Sequence, residues 1–159
     1  MIYIGVDPSL SNTGIVVIDD DGVILEEKLI SSDSKDDIEY RISYIADQII
    51  ETISKYPEFA MSMEGLSYQS SGQGALQLAG LHFHIRCLLY KTRIDFNVVP
   101  PSSWKKTVFG KGNLKKDLIL KEVYKKFGAD FNNDNLADAF SIAMCTKMNL
   151  KIKENSVHE

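Results

Sequence analysis

A run of alternating apolar residues, IYIGVD at positions 2–7, ends on a carboxylate. Ile2, Ile4 and Val6 alternate with Tyr3, Gly5 and Asp7, which is the period of a β-strand. Pro8 follows at once, then the polar cluster SLSNTG. TGIVVID (13–19), the turn DDG (20–22) and VILEEKLIS (23–31) read as a hairpin, because Asp-Gly favours the tight turn that joins antiparallel strands. The chain therefore opens with three strands, and the first of them carries an aspartate at its end.

The remaining pattern alternates helix and strand. Ile38, Ile42, Ile45, Ile49 and Ile53 fall at helical spacing behind Asp36 and Asp37, and this helix is expected to end near Tyr56-Pro57. FAMSME (59–64) is a fourth strand that also ends in a carboxylate, Glu64. A polar loop then leads to a long helix, about 73–91, whose GALQLAG segment has small residues suited to close helix packing, within the core or against a second copy. IDFNVVP (94–100) reads as a fifth strand stopped by Pro100-Pro101. Helices at about 114–127 and 135–149 follow. The order βββαβαβαα predicts an α/β domain with a five-stranded mixed sheet, an antiparallel hairpin joined to parallel strands through helical crossovers. One domain is expected over 1–150, with a flexible tail at 151–159.

Composition narrows the partners. The 159 residues are 44% hydrophobic and 25% charged, which suits a globular chain. No apolar run approaches a membrane span, and the N-terminus lacks the basic stretch of a signal peptide, so a soluble cytoplasmic protein is expected. The net charge of −4 argues against nucleic acid until its distribution is considered. Residues 1–64 hold 14 acids and four bases, whereas residues 105–126 hold eight lysines against Asp117 and Glu122. Lys105, Lys106, Lys111, Lys115 and Lys116 begin this basic segment, which can hold a polyanion while the rest of the chain stays acidic.

The carboxylates supply the chemistry. If the fourth strand lies parallel to the first through a right-handed crossover, Asp7 and Glu64 emerge side by side. Parity agrees, because Asp7 shares a face with Tyr3 and Gly5, and Glu64 with Ala60 and Ser62. In NNDNLADAFSIA, Asp134 and Asp138 stand one turn apart, and Asp138 sits in a segment apolar enough to be buried. Carboxylates converging without a matching Arg repel unless a hard divalent cation lies between them, and oxygen ligation selects Mg²⁺, with Mn²⁺ as substitute. Two such ions suit phosphodiester hydrolysis, and the lysines would hold the backbone being cut.

With these residues in hand, the chain resembles the RuvC-type Holliday junction resolvases of the ribonuclease H-like superfamily. The resemblance rests on IGVDPSLSNTG, MEGLSY, VVPPSSWKKTVFGKGNLKKDLI and NLADAFSIA, in that order over nearly the whole chain. Sugar kinases and Hsp70-like ATPases open similarly but need two such lobes. The resemblance implies a ribonuclease H-like fold, and metal-binding catalytic roles for Asp7, Glu64 and Asp138. The family's fourth donor usually lies three positions before the last, here Asn135; Asp134, four before, is favoured as that ligand. Lys116 matches the family's lysine near the scissile phosphate, with Lys115 as its neighbour, and Tyr68 is the choice for stacking on unpaired bases. A homodimer that nicks a four-way DNA junction in two strands is implied, as is a likeness to bacteriophage members acting in the host cytoplasm. No small-molecule cofactor is expected. The competing functions are a superfamily nuclease acting on RNA, of the pre-ribosomal RNA maturation type, and a branched-DNA binding protein that does not cut.

Other reactive side chains read as structural. Cys87 and Cys145 lack metal-ligand spacing and are expected to be buried, reduced thiols. His82 and His84 lie on different helix faces and are expected to pack rather than to share a metal. Trp104 is expected to anchor a loop, and Ser9, Ser11 and Thr13 to form a turn, since no positioned His is evident.

Overall fold

A computed structural model describes residues 1–67 and 71–156, with side chains as far as Lys153. Five strands form one sheet in the order β3-β2-β1-β4-β5. β1 (Ile2–Asp7), β2 (Asn12–Ile18) and β3 (Ile24–Ser31) make an antiparallel meander. β4 (Phe59–Glu64) lies parallel to β1 on its other side, and β5 (Asn97–Val99) extends the sheet in parallel. The mixed sheet expected from the sequence is therefore present, with the hairpin and the crossovers in the expected places.

The period of two divides the core. Ile4, Val6, Ile15, Val17, Met61 and Met63 point to one face, under α1 (Ile38–Ile53) and α2 (Gln73–Lys91). Tyr3, Val16 and Ile18 point to the other, under α3 (Pro101–Phe109), α4 (Lys116–Phe127) and α5 (Asp134–Ser156). The isoleucines of α1 bury Ile45, Ile49 and Ile53 completely, so the helical period in the sequence is the period of burial.

Two glycines decide how α5 sits. A Cβ built on Gly5 would lie 2.0 Å from the Ala139 carbonyl oxygen and 2.5 Å from the Ala143 nitrogen. One on Gly14 would lie 2.2 Å from the Asn135 carbonyl oxygen. The backbone of α5 thus rests directly on β1 and β2, where only hydrogen side chains leave room. Farther along, the buried Thr146 hydroxyl donates to Ser62 Oγ at 2.7 Å, tying the same helix to β4.

Five local features depart from the sequence reading. Pro100-Pro101 ends β5 but also begins α3, a helix the periodicity did not reveal: Pro100 is its N-cap and Pro101 its first residue, where a missing N–H costs nothing. α3 ends at Gly110 in the left-handed region at φ 76°, and α4 begins at Lys116 rather than 114. β5 is shorter than 94–100. α5 continues past 149 to Ser156, because KIKENS contains no helix breaker. Cys145 is buried as expected, but Cys87 is exposed on α2. Among the described residues no helix is long and apolar enough to cross a membrane.

Substituting Gly5→Ala is expected to destabilise the protein by ~3 kcal/mol or to prevent folding, since neither contacting atom is a side-chain end. Gly74→Ala in α2, where a Cβ meets nothing within 4 Å, is expected to stay within ~1 kcal/mol of the parent. Urea unfolding of both variants checks the contrast.

Candidate active site

Asp7 closes β1, and the Val6–Met63 pair places Glu64 beside it at the end of β4. Asp138 comes down from α5, in the turn that precedes the Gly5–Ala139 contact. Asp7 and Asp138 are each only 4% exposed. Pro8 and the turn behind it are held locally: Ser9 Oγ accepts from the Ser11 and Asn12 amides, and the Thr13 hydroxyl donates to the Ser9 carbonyl at 2.6 Å. These hydroxyls form the turn, as the sequence suggests.

Three negative groups crowd here. Burial raises the Asp7 carboxyl well above the ordinary range, and Glu64 and Asp138 push it in the same direction. Burial also raises Asp138, to about 6, although Lys116 pulls the other way. The Lys116 ammonium stands 3.5 Å from Asp138 Oδ2 and donates to Asn135 Oδ1 at 3.1 Å. Burial opposes its charge, but Asp138, Asp7 and Glu64 outweigh that and hold its pKa above normal. Lys116 at 3.5 Å, with Lys105 a weaker influence on Asp138, leaves the three carboxylates short of positive charge.

Asp138 Oδ1 is buried with no hydrogen-bond partner among the described residues. An acceptor in that position is costly unless something positive meets it. No three His, Cys, Asp or Glu side chains among the described residues form a ready-made shell for one ion. What is present is a set of oxygen donors with an unmet acceptor and excess negative charge, which suits a hard divalent cation.

The sequence candidates separate in space. Lys116 at the start of α4 reaches the carboxylates, while Lys115 is its exposed N-cap neighbour. Asn135 contacts Lys116, whereas Asp134 is not among the leading influences on Asp7 or Asp138. Lys105 is one of those influences on Asp138, while Lys106 and Lys111 lie exposed on α3 and in the turn after it. A groove of about 930 Å³ runs past Gly65, Ser67, Pro101, Lys105 and Asn113. Tyr68 lies outside the described residues.

Trp104 is the residue that sequence reasoning missed at the site. It anchors structure as expected, but on a helix rather than in a loop, and its Nε1–H donates to Glu64 Oε1 at 2.9 Å. The available signal was its place near a helix start that Pro100-Pro101 could have revealed. His82 is buried, with its pKa lowered to about 4 by burial and by Arg86, in keeping with a packing role.

The raised Asp138 pKa fixes a direction for stability. The unfolded chain releases this proton near the ordinary 3.8 and the folded chain near about 6, so without metal the folded form loses stability as pH rises through that interval. Above pH 7 the penalty is on the order of 3 kcal/mol. Asp138→Asn is therefore expected to raise the melting temperature in EDTA at pH 7.5 and to give no gain at pH 4. A pH-independent difference would contradict this account of the buried charge.

Comparison with known proteins agrees with the geometry. The family profile described as "Crossover junction endodeoxyribonuclease RuvC" matches residues 3–146. The protein of that name from Brachyspira hyodysenteriae is 29% identical over 147 residues, covering 91% of this chain and 92% of the relative. The one from Rickettsia bellii is 30% identical over 148 residues, covering 90% and 94%. Among solved structures, Thermus thermophilus RuvC in complex with Holliday junction substrate superposes with a TM-score of 0.81 at 15% identity, covering 96% of each chain, a likeness of fold. With a profile match that spans both strand-end carboxylates and Asp138, this chain belongs to the RuvC family of crossover junction endodeoxyribonucleases.

Proposed function

We propose that this chain is a metal-dependent endonuclease that resolves Holliday junctions, and other branched DNA, by paired hydrolysis of phosphodiester bonds. The observation that carries this reading is the convergence of Asp7, Glu64 and the orphaned Oδ1 of Asp138 beside Lys116. Asp7, Glu64 and Asp138 would hold Mg²⁺, or Mn²⁺ in its place, with two ions per site. For the fourth position the Lys116–Asn135 bond favours Asn135 over Asp134. Bound metal supplies positive charge that acidifies the attacking water and offsets the charge forming on the leaving 3′ oxygen.

The chain's own residues do the remaining work. Lys116, with its side chain 55% exposed, can turn from Asp138 towards the scissile phosphate. Lys105, Lys106, Lys111 and Lys115 supply backbone contacts along α3 and the turn before α4, so binding should weaken steeply with salt. The buried setting of Asp7 and Asp138 excludes water and strengthens each charge interaction.

Paired incision calls for two sites, and a homodimer provides them. Leu76, Phe83 and Tyr90 are 75%, 54% and 81% exposed and fall seven residues apart on α2. This spacing makes one apolar stripe, the pattern with which helices of two copies pack. Tyr90→Asp is expected to move the protein from dimer to monomer in analytical ultracentrifugation.

Labelled four-way junction, linear duplex and RNA, each with Mg²⁺ and with EDTA, test the activity. Symmetrical nicks in the junction with Mg²⁺ alone are expected; cleaved RNA, or a junction bound and left whole, would overturn the reading. Asp7→Asn, Glu64→Gln and Asp138→Asn should each slow cleavage by more than about 100-fold, since even the groups supporting a metal ligand typically cost 10–100-fold when lost. Junction affinity measured in EDTA should stay within about 2-fold, because the backbone contacts come from the lysines.

A further inference from the structure

We propose that Trp104 is a positioning residue that fixes the Glu64 carboxylate for the metal, an inference that rests on the reading of Glu64 as a metal ligand. Glu64 is the member of the set most in need of an anchor. Asp7 and Asp138 have short side chains and are buried on the sheet and on α5, whereas Glu64 has one more rotatable bond and is only half-buried at the end of β4. A longer side chain loses more rotamer freedom when it is held in one place.

Trp104 has the features of such an anchor. Its side chain is wholly buried, with 0% exposure, and packs edge-on against Phe109 at 6.5 Å between ring centroids. It stands in the first turn of α3, where its own amide donates to the Pro100 carbonyl at 3.2 Å. The indole is therefore rigid before it meets the carboxylate. An indole N–H donates only, so it cannot take a proton from Glu64 or offer the metal a competing ligand. Its bond to Oε1 at 2.9 Å commits one acceptor direction and sets the plane of the carboxylate. It also does so without adding a charge, unlike Lys116 at Asp138. The Lys105 ammonium lies 5.4 Å from the Trp104 ring centroid, so one indole contacts both the candidate ligand and a lysine proposed to hold DNA.

A tryptophan that merely fills the core would need its shape and not its N–H. Replacing Trp104 by 3-benzothienylalanine keeps the fused rings and exchanges the N–H for sulfur. This variant is expected to melt with the parent and bind junction in EDTA equally well, yet to bind Mn²⁺ about 10-fold more weakly by calorimetry. Trp104→Phe should show the same Mn²⁺ deficit together with a lower melting temperature. Because the chain has a single Trp, ¹⁵N-labelled protein gives one indole resonance, which should shift upfield in Glu64→Ala and move on Mn²⁺-free titration with Mg²⁺. Unchanged Mn²⁺ affinity in the benzothienyl protein, or an indole resonance indifferent to Glu64→Ala, would overturn the proposal. A parent protein that binds Mn²⁺ but leaves every junction intact overturns the nuclease reading, while the 10-fold Mn²⁺ difference would still support the role of Trp104.

Discussion

The contact of α5 with bare backbone on β1 and β2 is the constraint from which the site follows. At Gly5 and Gly14 the helix comes so near that a methyl group would overlap its carbonyl oxygens. A helix lying that close brings Asp138 to the level of the strand ends, where Asp7 and Glu64 already stand side by side through the β1–β4 register. The small residues Ala139 and Ala143 make the approach possible from the helix side. Backbone packing of this kind is stiff, and a metal site needs its donors held more closely than a loop could hold them.

The same packing produces an electrostatic cost. Asp7 and Asp138 are raised by burial before any neighbouring charge is considered, and Lys116 offsets only part of it. Folding therefore opposes the charged state on which the proposed ligation depends, and sheet and helix packing must outweigh that opposition. Strain of this sort is common where a site is organised ahead of its ligand. The unmet Oδ1 of Asp138 is the most local sign of it.

Much of this arrangement could be read from residue order. Alternation assigned β1 and β4 with their bounds, and parity placed Asp7 and Glu64 on one face, because strand geometry follows from a period of two. The isoleucine spacing of α1 was equally direct. Pro100-Pro101 misled because proline both stops a strand and starts a helix, and local sequence does not say which effect dominates. Asp134 and Asn135 could not be separated by helical spacing, since positions three and four before Asp138 share its side of the helix; the contact of Lys116 with Asn135, on which the proposal for Asn135 rests, comes from α4, distant in sequence. The Trp104–Glu64 bond joins residues 40 apart, and no periodicity reports such a pairing.

The three carboxylates come from the first strand, the fourth strand and the last helix, so the site spans almost the whole chain. During synthesis, Asp7 and Glu64 leave the ribosome long before Asp138 has been made. A nascent or prematurely ended polypeptide can thus hold both strand-end carboxylates and still lack Asp138. The proposed site is complete only once α5 has docked, so a polypeptide that ends before it holds two of the three carboxylates.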